Sequence, residues 1–128
     1  MEASQALASL KEGNARYMAN SAQRFDMNKR REELVAGQHP IASILSCSDS
    51  RVVPEYIFDA KPGEVFIVRT AGNVADPIAL GSIEYGVEHL HPPLFIVMGH
   101  SKCGAVKATC DCKGKMDEGH IKDIVAKV

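Results

Sequence analysis

No block of like charge runs along this chain. Fifteen basic side chains stand against sixteen acidic ones, interspersed throughout. A nucleic-acid partner therefore has little electrostatic support, and a small or neutral partner fits better. Long apolar runs are missing too, which argues against a membrane span. The N-terminus MEASQALASLKEGNARY is a polar amphipathic stretch without the apolar centre of a secretory signal. A soluble, cytoplasmic protein is expected. There is no internal repeat, no low-complexity tract and no change of composition that would mark a linker. At 128 residues the chain can bury roughly two thirds of its unfolded surface, so residues 1–128 are read as one domain.

What the sequence does contain is an ordered alternation of helical and strand patterns. Leu7, Leu10, Tyr17 and Met18 mark one side of a first helix, and a second is expected from Met27 to Ala36, with Gly37 capping it. Together they form a helical N-terminal arm over residues 1–37, ahead of a core over residues 38–128. Ile41 to Ser46, after Pro40, is short and apolar and reads as a buried strand; Val65 to Arg69 and Leu94 to Met98 repeat the pattern. Between the second and third strands, Asp76 can cap a helix that Pro77 opens, with Leu80, Ile83, Val87 and Leu90 as its apolar stripe. The first connection is also long enough for a crossover, with a short helix near Pro54 to Asp59. The expected class is α/β: a parallel sheet of at least three strands, flanked by helices, with an N-terminal helical extension.

Chemistry gathers at the strand exits. The first strand runs into CSDSR, bringing Cys47, Asp49 and Arg51, and the third ends in FIVMGHSKCGAV, bringing His100 and Cys103. Thiolate and imidazole are ligands that zinc prefers, and two cysteines with one histidine leave a fourth position for water or a carboxylate. For these three residues to meet one ion, the first and third strands must be neighbours. The strand order becomes 2-1-3, and the site falls at the switch point where open α/β sheets place ligands. Alone, a cysteine ending a buried strand is most often a small core hydrophobe, and Asp49 with Arg51 would be a surface ion pair of little worth. Two motifs at matching strand ends favour a metal centre with a positioning dyad. Cys110 and Cys112, one residue apart, lack the spacing and sheet context of a redox pair and are read as incidental. His39, His89, His91 and His120 are read as exposed and uncommitted.

CSDSR followed by HSKC resembles the β-class carbonic anhydrases. The likeness continues through GQHP, PGEVFIVRTAGN and GSIEYGVEHL, covering most of the chain from about Gly37 to Cys110. The resemblance implies zinc ligands at Cys47, His100 and Cys103 and an Asp-Arg dyad at Asp49 and Arg51. It also implies substrate-pocket residues at Gln38, Phe66 and Tyr85, with Ala71 beside them. The implied reaction is reversible hydration of carbon dioxide to bicarbonate, by attack of zinc hydroxide that Asp49 orients and Arg51 supports. The resemblance also allows a closed resting form in which Asp49 itself binds the zinc and Arg51 is released. Some pocket residues come from the partner subunit in this family, which implies a homodimer or higher oligomer.

Other functions stay open at this point. Related enzymes of the same fold hydrolyse carbon disulfide or carbonyl sulfide, and a structural zinc module could close its shell with Asp49. A cysteine phosphatase or rhodanese needs five residues between Cys and Arg, where this chain has only Ser48, Asp49 and Ser50. Members of the family continue with further strands, one of them flanking the third strand. Here the stripe Ile121, Ile124, Val125, Val128 runs to the last residue without a cap, so the chain reads as cut. It is expected to be less stable than a longer relative and to associate through its apolar edge.

Overall fold

The computed structural model describes residues 1–116 and 119–128. Three parallel strands, β1 (Ala42–Cys47), β2 (Val65–Thr70) and β3 (Phe95–Met98), form one sheet in the order β2-β1-β3. This is the 2-1-3 order that converging ligands require. All six residues of β1 are buried, as a central strand covered on both faces must be. Its register sets Ser43 opposite Phe66 and Phe95, and Cys47 opposite Thr70. At the outer edge, β3 leaves Phe95 41% and Val97 59% exposed, and no strand lies beyond it among the described residues.

Among the described residues, six α-helices flank the sheet: α1 (Ala3–Met18), α2 (Met27–Glu33), α3 (Pro54–Ile57), α4 (Pro77–Tyr85), α5 (Gly104–Asp111) and α6 (Ile121–Val125). The first opens on a capping box, Glu2 with Gln5, whose side chain accepts from the Glu2 N–H at 2.8 Å. Its buried seam is Ala6, Leu10 and Gly13, not the expected stripe of Leu7, Leu10, Tyr17 and Met18, of which only Leu10 is buried. Small residues win because the helix must come close. A Cβ at Gly13 would stand 1.8 Å from the Phe58 carbonyl oxygen, just after α3. The contact is then fastened by polar groups. Asn14 donates to the Ile57 carbonyl at 2.9 Å and Arg16 to the Asp59 carboxylate at 2.6 Å, and the Gln23 N–H also reaches Asp59.

Asp76 caps α4 as expected, accepting from the Ala79 N–H at 2.7 Å. The helix seats Ala79 and Gly86 against the sheet, while Leu80 and Val87 of the expected stripe are exposed. Two causes combine. Gly86 lies so near Phe66 that an added Cβ would meet its ring at 2.8 Å, and from Gly86 to Leu90 the helix widens to a π-turn, which breaks the 3.6-residue period. Leu10, Ala42, Ile44 and Val65 form the buried centre between the sheet and α1. Among the described residues, no helix is long and apolar enough to cross a membrane.

Candidate metal centre

The site grows from the C-terminal ends of β1 and β3. Cys47 is the last residue of β1, and the chain leaving β3 turns at Gly99 so that His100 and then Cys103, which caps the start of α5, return to the same point. One donor atom from each of Cys47, His100 and Cys103 lies within 4.8 Å of the others. The two sulfurs are 3.9 Å apart, too far for a disulfide, and both cysteines are buried.

His100 shows which way the centre faces. Its side chain is only 7% exposed. Nδ1 lies 3.0 Å from the Ser101 carbonyl oxygen, whereas Nε2 is buried with no hydrogen-bond partner. Such a carbonyl contact favours the Nδ1–H tautomer and leaves the Nε2 lone pair free for a metal. A buried, unpartnered ring nitrogen beside two thiols is what a metal-binding group looks like before the ion is considered.

Cys47 is tuned by its loop. Burial pushes its thiol up, but the backbone N–H groups of Asp49 and Gly72 and the neighbouring Cys103 thiol favour the thiolate and outweigh it. The thiol falls from 9.0 to about 7. Deprotonation is therefore easy near neutrality, as a thiolate ligand needs.

Asp49 and Arg51 stand beside Cys47, His100 and Cys103 and face each other. Nε and Nη2 of Arg51 donate to the two carboxylate oxygens at 3.0 and 2.9 Å, and its backbone N–H donates to Oδ1 at 2.9 Å. This fork holds the Asp49 carboxyl well below the usual carboxylate range and keeps the guanidinium charged. Arg51 is tied in turn to the Lys102 carbonyl at 3.1 Å, so the dyad bridges the two loops that carry the ligands. Asp49 Oδ2 lies 3.9 Å from His100 Nε2. The carboxylate thus borders the donor cluster while paired to arginine.

The remaining expected residues divide. Ala71 follows β2 directly, at the same end as Cys47. Gln38, Phe66 and Tyr85 gather at the opposite end. Gln38 and Tyr85 line a shallow cavity of about 300 Å³, and the Phe66 and Tyr85 rings are 6.1 Å apart. Phe66 and Thr70 are four positions apart along β2, roughly 13 Å. One chain therefore does not bring Gln38, Phe66 and Tyr85 to its own metal centre. His39, His91 and His120 are exposed, while His89, also exposed, packs its ring 4.8 Å from that of Tyr85. Cys110 and Cys112 join no metal-binding group among the described residues.

Sequence reasoning missed Arg69. It sits near the end of β2, where Nε donates to the Cys47 carbonyl at 2.9 Å and Nη2 to the Asp49 carbonyl at 2.7 Å. The available signal was a lone cation in an otherwise apolar strand.

Residues 42–128 match the family model described as carbonic anhydrase. A carbonic anhydrase of Mycolicibacterium smegmatis is 46% identical over 122 residues, which are 93% of this chain and 59% of that protein. The chain thus spans about three fifths of that relative's length. Among solved structures, a Coccomyxa β-carbonic anhydrase in complex with acetazolamide superimposes with a TM-score of 0.68 at 34% identity, over 74% of this chain and 44% of that one. A β-carbonic anhydrase from Sordaria macrospora, one of two described as tetrameric, has a TM-score of 0.68 at 29% identity, over 75% and 49% of the two chains.

Proposed function

This chain belongs to the β-class carbonic anhydrase family, and from that premise we propose that it takes part in the zinc-dependent, reversible hydration of carbon dioxide to bicarbonate and a proton. The observation that carries the reading is the meeting of Cys47, His100 and Cys103 beside an Asp49–Arg51 fork. Zinc fits these donors. Two thiolates on a tetrahedral ion with bonds near 2.3 Å would lie about 3.8 Å apart, and the sulfurs here are 3.9 Å apart with an unpartnered His100 Nε2 beside them. Iron or copper would also accept sulfur, but a ligand set of two thiolates and one imidazole, open at the fourth position, suits hydrolytic zinc chemistry.

When bound, zinc supplies acidified water as the nucleophile near neutral pH. Cys47, His100 Nε2 and Cys103 hold the ion. Asp49, kept ionised and oriented by Arg51, accepts a hydrogen bond from the nucleophile and so aims its lone pair at the carbon of carbon dioxide. Arg51 keeps Asp49 from turning to the ion, which would give the closed resting form. Gln38 donates from its amide to the oxygen that gains charge, an interaction stronger in the transition state than before it. Phe66, Tyr85 and Ala71 supply the dry wall that a small apolar substrate needs.

Because Gln38, Phe66 and Tyr85 lie at the far end of the sheet in their own chain, a second copy must deliver them. The proposed working unit is a homodimer or a larger homo-oligomer. Free thiols at the ligand positions suit a reducing, cytoplasmic compartment. The test is metal analysis joined to stopped-flow assays of carbon dioxide, carbon disulfide and carbonyl sulfide with the same preparation. One zinc per chain with turnover of carbon dioxide is expected. Turnover confined to either sulfur compound would move the chain to the hydrolases of this fold, and bound zinc without any turnover would make the site structural.

A further inference from the structure

We infer that Arg69 is a positioning residue for the metal loop: its guanidinium clamps the carbonyls of Cys47 and Asp49 and so fixes the dyad relative to the ligands. This rests on the proposed carbonic anhydrase reading of the site, to which it adds a group that never touches the substrate.

The argument starts from where the side chain comes from. Side chains alternate across a strand, and Ile67 and Arg69 share the face of β2 that packs toward α1 and α3, while Phe66 turns to α4. Arg69 lies opposite Ser46, one residue before Cys47. It therefore reaches over the end of β1 from the side opposite α4. Among the described residues no carboxylate lies within ion-pair distance of it, so its charge is not spent on a surface pair. Both observed bonds go to backbone carbonyls, and those two belong to the first ligand and to the dyad acid.

What the clamp controls follows from peptide geometry. Each peptide is planar, so holding the carbonyls of Cys47 and Asp49 restricts the turn between them. Within that turn the Asp49 side chain carries the Arg51 fork. The neighbouring Ser48 N–H is tied to the Thr70 carbonyl at 3.0 Å, again on β2. The metal loop is thus held to β2 at consecutive points, and only one of the holding groups is a side chain that mutation can remove. An ordinary strand-end brace would support the fold alone; this one sets the distance between a ligand and the group that aims the nucleophile. Misplacing such a group by about 1 Å can cost roughly a hundredfold in rate.

Lysine is the discriminating substitution, because a single ammonium keeps the charge but not the planar fork that grips two acceptors. The test compares the wild-type chain, Arg69→Lys and Arg69→Ala, each loaded with zinc for turnover and with cobalt(II) for its ligand-field spectrum. Arg69→Lys should bind one metal per chain, shift the cobalt bands, and lose roughly ten- to a hundredfold in kcat with little change in KM. Arg69→Ala should lose more, and millimolar guanidinium should restore part of it. The groove of about 720 Å³ that Arg69 lines with Tyr17, Phe25, Met27 and Tyr56 offers the free cation a route. A general folding defect would not be rescued by a denaturant cation. Unshifted cobalt bands in Arg69→Lys, or an Arg69→Ala defect that tracks metal loss and ignores guanidinium, would overturn the proposal. If the wild-type chain hydrates nothing, the functional reading falls, and the cobalt spectra still decide on the clamp.

Discussion

At the C-terminal end of the three strands, Cys47, His100, Cys103, Asp49 and Arg51 converge, each held by named hydrogen bonds or by burial. At the N-terminal end, Gln38, Phe66 and Tyr85 sit around a shallow cavity with Tyr85 half open to solvent. The first end gathers its donors within one chain; the second holds an amide and two aromatic rings that lie far from those donors in their own chain. Parallel strands explain the separation. Every strand exit lies at one end and every entry at the other, so a motif at the end of β1 and one at the start of β2 cannot meet in one copy. Under the proposed function, a second molecule brings the two ends together.

Three substitutions and one mixture probe that contrast. The largest effect is expected from Cys103→Ser, which removes a thiolate from the metal end. Metal affinity should fall by more than the roughly 10- to 100-fold that loss of a supporting hydrogen bond costs, and hydration should vanish. Full metal occupancy in elemental analysis would remove Cys103 from the ligand set. Next comes Asp49→Asn, which should keep the metal and lower kcat about 10²- to 10³-fold, since an amide cannot accept from the nucleophile and the Arg51 fork as a carboxylate does. An unchanged rate at saturating carbon dioxide would exclude Asp49 from the reaction.

The far end is tested by Phe66→Ala. It should bind metal like the wild type yet lose roughly tenfold in activity, through a pocket that is no longer dry. Mixing this variant with Cys103→Ser should then recover activity, towards a quarter of wild type at equal amounts, because half the dimers are mixed and each has one intact composite site. A mixture no more active after exchange than its two components assayed apart would show that the two ends never share a site.

The smallest effect concerns Asp59, which touches neither end. Arg16 beside it, helped by the Gln23 N–H, holds its carboxyl below the ordinary 3.8 despite burial. The folded chain therefore binds fewer protons than the unfolded chain as acid is added. The stabilisation is complete above about pH 4 and disappears as pH falls through the folded value. Asp59→Asn should lower urea stability by about 1–3 kcal/mol at neutral pH and flatten the acid limb, with metal binding unchanged. An acid limb identical to wild type would assign it to other carboxylates.

Much of this architecture was legible from residue order. Three short apolar runs mark β1, β2 and β3, and the need for Cys47, His100 and Cys103 to meet implies the order β2-β1-β3. Asp76 and Pro77 marked the start of α4. The helix faces were misread for a physical reason common to both, to which the π-turn after α4 adds a second. Periodicity weighs a leucine above a glycine, but α1 and α4 dock so closely that Gly13 and Gly86 occupy the seams and Leu80 and Val87 stay outside. Arg69 was missed because backbone carbonyls are its partners, and they have no sequence signature. Gln38 and Tyr85 were found only through the family resemblance, since nothing in their own chain joins them to the metal.

The ladder between β1 and β2 does not stop at Cys47 but continues into the loop, through Ser48 to Thr70. A slip of one residue in either neighbouring strand would turn every side chain to the other face. Arg69 would then lose its carbonyls, and Cys47 would part from His100 and Cys103. Under the proposed function, an ion that needs all three ligands would bind only chains in which β1 and β3 have paired in register, and its binding energy would favour that pairing. Metal supply would then act during biogenesis as a proofreader of that pairing, retaining the aligned chains and leaving the misaligned ones to unfold and try again.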